Sequence, residues 1–345
     1  MPLPQDVRTV FQGALFLFTV LTALYVARGF FLPVVLAIVL KLLLQPLVRL
    51  LERLRVPRVA GALLAIGVVV ATLAGLGMLL SSPAASWAEQ LPDAWTKLQD
   101  SFALLREPAQ RAQTALGHIG INFEAKAIGG MLQPAAWITA VFSSTGNVAS
   151  TLLQVLLILF YLLVFGETFL RRAVEILPRF RDKREVVELS LHIERDLSSY
   201  LVTATVINAV VGVATALVMW ATGVPGPALW GTLAFCVNYV PILGPICAIV
   251  LFAAVGVVAK GAVWLALLPA GLYLIIHLVE GEIITPMVMA RRFTINPVAV
   301  ILSLIFWSWM WGVPGMVLAV PMLAIIKIVC DRLRPLRAFG HLLES

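Results

Sequence analysis

Charge is scarce in this chain: Asp, Glu, Lys and Arg make up 12% of its 345 residues, whereas hydrophobic residues make up 61%. Soluble globular domains carry about 25% charged residues, so the composition excludes that class and indicates a polytopic membrane protein. The net charge of +7 does not indicate nucleic-acid binding, because the basic residues lie in short segments between apolar runs. No basic surface interleaved with aromatic residues is present.

Cysteine is also rare. The chain has three cysteines, which is an odd number, and their spacing fits neither a disulfide framework nor a zinc site. We expect them to be small buried apolar side chains. The chain lacks a Gly-x-Ser-x-Gly motif, a His-Glu-x-x-His motif and a phosphate-binding loop ending in Gly-Lys-Ser or Gly-Lys-Thr. These absences argue against an enzyme, a cofactor, a metal site and transport driven by ATP. The three cysteines are Cys236, Cys247 and Cys330.

Hydrophobic runs predict about eight helical membrane elements, which we expect to form one all-α transmembrane domain over residues 1–345. The segment 41–58 is rich in Lys and Arg and is therefore predicted to be cytoplasmic. Two runs joined by a short link precede it as an antiparallel hairpin, so the N-terminus is predicted on the same side. Besides two longer stretches, the predicted runs are 10–27, 30–47, 59–80, 141–165, 201–222 and 262–279.

Two polar segments interrupt these runs. Residues 81–139 are predicted to form an extracytoplasmic insert, which begins with an amphipathic helix that ends near Pro108. Residues 166–199 mix both signs of charge with apolar residues at helical spacing, which predicts a cytoplasmic amphipathic helix that leads into the next run. A solvated helix at the membrane surface explains this second segment better than a ligand site does.

Two apolar stretches, 227–259 and 297–329, are too long for a single crossing. As a continuous helix each would measure roughly 50 Å, against a hydrocarbon core of roughly 30 Å. Glycine and proline interrupt both near the middle, at 238–245 and 311–315. The positive-inside rule favours two helical hairpins, either re-entrant or spanning, because this arrangement leaves Arg291-Arg292 and the basic C-terminal segment cytoplasmic.

The interruptions are candidate parts of a substrate path, because irregular backbone at membrane depth is tolerated where it is buried or lines a water-filled cavity. A tight loop between two ordinary short spans is the alternative. Asn238 can both donate to and accept from a polar ligand, and capping of the neighbouring helix is its alternative role. Pro241 and Pro245 leave carbonyl groups without partners, and Gly244 allows close approach. The predicted hinge residues are Gly312, Pro314, Gly315 and Pro286.

The run 201–222 carries small and polar residues on one helical face, namely Thr205, Asn208, Gly212 and Thr215. Such a face suits close helix packing or a polar cavity. We expect Thr205 and Asn208 to line the wall of the substrate path opposite Asn238.

Acidic residues follow the apolar run 262–279. Glu280 lies one turn after His277, and Glu282 follows closely. Ionisable groups at membrane depth cost about 2.5–3.5 kcal/mol on insertion scales and tend to mark ion or proton paths. The three residues are therefore candidates for ion coupling, although their position at the end of the run lets them reach water.

Four ordered motifs carry a family resemblance: residues 238–245, residues 280–286, the pair Asn296-Pro297 and residues 312–321. Together they resemble the autoinducer-2 exporter family of bacterial inner-membrane proteins, and the similarity covers essentially the whole chain. Ala290 departs from the pattern, since the family often has glycine there. The resemblance implies a multi-spanning inner-membrane protein that is assembled as a homo-oligomer, with a pentamer as one candidate. The positive-inside rule places both termini in the cytoplasm. It also implies export of small polar metabolites such as autoinducer-2.

Three functions follow as hypotheses. The first is export of a small polar solute by alternating access of the interrupted elements. The second is exchange of sodium ions or another cation for protons, which is linked to some relatives of the resembled family. The third is a non-transporting membrane scaffold that recruits partners through residues 81–139 or the charged helix. Membrane lipid is a partner in each case.

Overall fold

A computed structural model describes residues 7–117, 145–176, 180–260, 263–289 and 296–332, together with Gly340 and Leu343. Every regular element within these ranges is helical, which confirms the predicted all-α fold. The elements are α1 (Val7–Val26), α2 (Arg28–Arg53), α3 (Arg58–Gly117), α4 (Thr145–Glu175), α5 (Phe180–Ala221), α6 (Pro227–Val237), α7 (Leu243–Lys260), α8 (Val263–Ala266), α9 (Leu268–Val279), a π-helical turn (Glu280–Ile284), α10 (Thr285–Met289), α11 (Pro297–Trp311) and α12 (Val313–Arg332).

The helices are those of a multi-pass membrane protein. Six segments of the described chain are long and apolar enough to cross a membrane, and further apolar helices are shorter. The six are Arg28–Arg53, Arg58–Trp87, Ala149–Arg172, Val186–Ala221, Leu268–Val288 and Val313–Asp331. Their order agrees with the runs of the sequence, whereas the sidedness of the termini stays a prediction.

The chain forms two compact units, and four helices contribute residues to both, namely α3, α4, α5 and α10. The first unit contains Met1–Val69, Ser150–Thr203 and Met289–Ser345, and the second contains Val70–Ala149 and Ala204–Val288. In the first unit, the buried core joins α2, α3 and α4, and a second cluster joins α2, α5 and α12. In the second unit, the core joins α5, α6, α7 and α9.

The junction of α1 and α2 is a bend at Ala27, whereas the sequence predicted a tight antiparallel hairpin. Ala27 has φ −92° and ψ 29°, outside the right-handed helical region. Helical hydrogen bonds continue on both sides, from Ala27 N to Ala23 O at 2.9 Å and from Phe31 N to Ala27 O at 3.1 Å. A change in one ψ angle tilts the helix axis but does not reverse the chain.

Helix α3 is 60 residues long and continues well past the predicted membrane run. The prediction that the helix at the start of the insert ends near Pro108 was wrong. Proline removes one backbone donor and kinks a helix, but a single lost hydrogen bond does not oblige the helix to end. Residues 118–139 of the predicted insert lie outside the described residues.

The first long apolar stretch is a helical hairpin, as predicted. Pro227 occupies the first turn of α6, where a missing donor costs nothing. The turn covers residues 238–242, and α7 then returns along α6. The rings of Trp230 and Phe252, on opposite sides of the turn, meet edge to face with centroids 6.2 Å apart.

The second stretch is also a hairpin, and it reverses at a single residue. Gly312 has φ 67° and ψ −142°, a conformation open to glycine but strained for other residues. A Cβ at Gly315 would lie 1.9 Å from Trp307 O, so the two helices touch through backbone. Ser303 Oγ donates to Ala319 O at 2.9 Å across the pair. Gly312, Pro314 and Gly315 therefore lie at the turn, and their action as hinges stays a prediction.

The run predicted to end at residue 279 continues as a helix to Met289. It widens into the π-helical turn Glu280–Ile284 and resumes as α10, in which Pro286 is the second residue. Pro286 has no N–H for a helical hydrogen bond, and a π-helical turn is a common way to absorb such a defect. Glu280 consequently lies inside the candidate span Leu268–Val288 and not at its end.

Candidate functional site

The second half of the polar face on α5 is a packing surface. A Cβ added at Gly212 would lie 2.8 Å from Gly231 O in α6, and one added at Gly231 would lie 2.6 Å from the Cβ of Ala216. Thr215 is fully buried, and its hydroxyl donates to Val211 O of its own helix at 2.7 Å. Close backbone approach through small residues is the usual packing device of membrane helices.

The first half of the same face bonds to the turn of the first hairpin. Asn238 Nδ2 donates to Asn208 Oδ1 at 2.8 Å, and the Tyr239 hydroxyl donates to Thr205 Oγ1 at 2.8 Å. Asn208 is also within hydrogen-bonding reach of the Tyr239 hydroxyl. These four side chains form what we call the polar network. The structure thus brings Asn238, Thr205 and Asn208 close together. That they line a substrate path stays a prediction.

The polar network extends from a buried end to a partly accessible end. Asn208 is 4% exposed, whereas Thr205, Asn238 and Tyr239 are half-buried. Side-chain hydrogen bonds between membrane helices contribute on average about 0.6 kcal/mol and at most about 2 kcal/mol. Two such contacts therefore hold the hairpin turn against α5 only weakly.

The turn itself holds an unfavourable backbone conformation. Ile242 has φ 65°, and a positive φ is uncommon for a β-branched residue. Gly244 is buried, and a Cβ there would lie 2.1 Å from Val237 O. The space that glycine leaves is therefore taken by the backbone of the hairpin, where the sequence predicted close approach of a ligand. Pro245 is buried and Pro241 is half-buried. Strained turns of this kind cluster at sites that move or bind.

A second group of polar side chains lies along α9 and the π-helical turn. His277 Nδ1 and Glu280 Oε2 are 3.4 Å apart, and the Thr285 hydroxyl donates to the other carboxylate oxygen of Glu280. Tyr273 is fully buried, its ring stacks on His277 with centroids 6.5 Å apart, and its hydroxyl has no hydrogen-bond partner among the described residues. We call these four residues the acidic group.

The predicted ion-coupling residues differ in their surroundings. Glu280 is 9% exposed and packs among polar neighbours, whereas Glu282 is exposed. Within the described residues, no group of three or more His, Cys, Asp or Glu side chains is placed to hold a metal ion. Ala290, Arg291 and Arg292 lie outside the described residues.

Sequence reasoning missed three polar residues of these sites: Tyr239, Thr285 and Tyr273. Two of them are near a residue that was identified: Tyr239 follows Asn238, and Tyr273 lies four residues before His277, one turn away on the same helix face. Spacing on one helix face was a usable signal for Tyr273. Thr285 is paired with Glu280 only because the helix widens there, and this widening is invisible in the hydrophobic pattern.

The cysteines follow the expectation only in part. Cys330 is buried, whereas Cys236 and Cys247 are exposed on the isolated chain. Both exposed residues belong to the short helices of the first hairpin, whose outer faces carry apolar side chains.

The close approach of α5 and α6 makes Gly231→Val a strongly destabilising substitution. The new side chain would overlap Ala216, and overpacking of this kind costs about 1–3 kcal/mol. We expect a lower midpoint of thermal unfolding in detergent. Gly271→Val is the matched control, because a Cβ at Gly271 meets nothing within 4 Å. Equal midpoints for the two variants would contradict the packing described here.

Comparison with known proteins gives a consistent picture. A family model described as "AI-2E family transporter" matches residues 14–335. The AI-2 transport protein TqsA of Escherichia coli strain K12 is 28% identical over 316 residues, which cover 91% of this chain and 89% of that protein.

Two further relatives carry only provisional names as transport proteins. YhhT of Escherichia coli strain K12 is 27% identical over 324 residues, covering 90% of this chain and 87% of that protein. YueF of Bacillus subtilis strain 168 is 26% identical over 310 residues, covering 86% of this chain and 82% of that protein. In each case the match covers most of both chains.

Proposed function

The chain belongs to the AI-2E transporter family, and from this premise we propose that it exports small polar metabolites such as autoinducer-2 across the bacterial inner membrane. The polar network is the observation that supports this proposal most directly. It places four hydrogen-bonding side chains at the turn of an interrupted membrane segment, where transporter sites recur. Membership of a transporter family favours transport over a passive scaffold.

The proposed path passes between α5 and the turn of the first hairpin. In the closed state Asn238 is bonded to Asn208, and Tyr239 is bonded to Thr205. A polar solute with hydroxyl or carbonyl groups supplies equivalent partners to the same side chains when they separate. Exchanging side-chain partners for solute partners keeps the buried Asn208 satisfied, so opening avoids the cost of about 1–3 kcal/mol for an unpaired buried group.

Alternating access then requires the hairpin turn to move relative to α5. The contacts that resist this movement are weak, and the strained Ile242 lowers the difference in free energy between the two positions. Packing between Gly212 and Gly231, farther along the same helices, holds α5 and α6 together while the turn moves.

The test of the function is efflux of labelled autoinducer-2 from vesicles that contain the purified full chain. We expect efflux faster than from vesicles of the same lipid without protein. Vesicles with and without an imposed sodium or proton gradient show whether export is driven by ions. Efflux that equals the leak of protein-free vesicles under every gradient would contradict export of this solute.

Cation/proton antiport is the second candidate, and the acidic group favours it. A carboxylate that is nearly buried in a candidate membrane span, beside a histidine and a threonine, has the ligands of a cation or proton site. In this case the vesicles exchange sodium for protons whether or not autoinducer-2 is present. The homo-oligomeric state and the cytoplasmic position of both termini belong to the same proposal and stay to be measured.

A further inference from the structure

A cavity in the first unit shares no residue with the polar network or the acidic group. It has a volume of about 510 Å³ and is lined by the C-terminal half of α2 and by residues 194–203 of α5. This volume lies within the range of about 300–1,000 Å³ that is typical of small-molecule sites. Its charged and buried polar lining residues are Gln45, Arg49, Arg53, Glu194, Arg195 and Ser198.

The cavity is basic. Three arginines face one glutamate, and that glutamate is already paired with Arg49. Arg53 and Arg195 are exposed, and neither has an ion-pair partner among the residues that the structure describes. Two guanidinium groups of this kind can bind a phosphate group, because each guanidinium has paired N–H donors in one plane that match two phosphate oxygens.

One residue that lines the cavity, Gln45, has a buried polar atom that lacks a partner among the described residues. Gln45 is 3% exposed, and its Oε1 has no hydrogen-bond partner in the described part of the chain. An unpaired buried acceptor costs about 1–3 kcal/mol, so this position is suited to a ligand that donates a hydrogen bond. Ser198, which is 7% exposed, also lines the cavity.

From these contacts we propose that the cavity binds a phosphate-bearing ligand that also carries hydroxyl groups. Arg53 and Arg195 bind the phosphate, and the ligand hydroxyl donates to Gln45. A phospholipid headgroup with a glycerol moiety and a soluble phosphorylated polyol share this chemistry. The site does not depend on the proposed transport function, since it shares no residue with the polar network or the acidic group.

The proposed site gives a function to part of the charged helix 166–199, which the sequence predicted to be a solvated helix at the membrane surface. Glu194 and Arg195 belong to that segment, and they lie on the cavity and not only on the solvent side. Occupancy of the cavity joins α2 to α5 within the first unit. Binding should therefore stabilise the folded protein in proportion to the saturation of the site.

The experiment measures the midpoint of thermal unfolding of the full chain in a nonionic detergent. The probes are soluble glycerol 3-phosphate and phosphatidylglycerol mixed into the micelles. The neutral counterparts are glycerol and phosphatidylcholine. We expect a saturable rise with at least one phosphate-bearing probe and none with its counterpart. A rise with phosphatidylglycerol alone assigns the site to lipid, and a rise with glycerol 3-phosphate alone assigns it to a soluble ligand.

The variant Arg53→Gln with Arg195→Gln should raise the half-saturating concentration at least tenfold. The charge-matched control is Arg171→Gln with Arg172→Gln, since both arginines are exposed in the same unit and do not line the cavity. We expect this control to bind as the wild type does. The proposal is overturned if neither phosphate-bearing probe changes the midpoint, or if the control loses binding to the same extent.

Discussion

Asn238→Ala is expected to slow efflux of autoinducer-2 from vesicles at least tenfold. Asn238 donates to Asn208 in the closed network, and in the proposed open state it contacts the solute. Its removal leaves Asn208 Oδ1, on a residue only 4% exposed, without this donor. Loss of about 1.4 kcal/mol at the rate-limiting step corresponds to a tenfold change in rate, and an unpaired buried polar group costs about 1–3 kcal/mol.

Thr215→Val is the control for this variant. Thr215 lies on the same face of α5, but its hydroxyl is bonded to Val211 O of its own helix and not to the hairpin turn. Near wild-type efflux is expected for this control. If both variants transport as the wild type does, the polar network is a packing contact and the solute passes elsewhere.

Glu280→Gln is expected to abolish the dependence of transport on the sodium or proton gradient. The substitution removes the charge but keeps the size of the side chain, and Thr285 and His277 remain beside it. A nearly buried carboxylate in a membrane span is retained at a free-energy cost, which indicates that its charge is used. The measurement is the change in internal pH of vesicles after a sodium pulse, repeated with autoinducer-2 efflux under the same gradient.

The matched control is Glu282→Gln, which removes the same charge two residues away. Glu282 is exposed, so its carboxylate keeps its hydration and we expect the gradient dependence to survive. Equal losses in the two variants would show that the local charge matters and not the buried site. Gradient dependence that persists in Glu280→Gln would remove the acidic group from ion coupling.

The two hairpins were predictable because length and turn chemistry agree. A mainly apolar stretch of 33 residues is too long for one crossing of the membrane. Glycine and proline residues mark where each stretch reverses, at 238–245 and at 311–315. The pairing of Asn238 with the polar face of α5 was also predictable, because polar side chains in a membrane span form hydrogen bonds to polar side chains of neighbouring helices. The Thr205 contact to Tyr239 was not predicted, since the choice between adjacent side chains in a turn depends on backbone geometry.

The elements that escaped prediction depend on single backbone positions or on distant contacts. Whether Ala27 reverses the chain or bends it is decided by one dihedral angle, and the apolar pattern on both sides is the same. The π-helical turn shifts Glu280 towards Thr285 without a change in hydrophobic period. The basic cavity joins residues about 150 positions apart in sequence, and separation of this kind leaves no local signal.

The central claim is that the polar network opens to the solute, and labelling of a cysteine placed within it tests this most directly. Thr205→Cys, in a chain whose three native cysteines are replaced by serine, keeps a small side chain beside Tyr239. A small water-soluble thiol reagent should modify it during transport. Autoinducer-2 should slow this modification at concentrations that half-saturate efflux. Efflux that continues while Cys at this position stays unmodified, or is modified at a rate that autoinducer-2 does not change, would contradict the account.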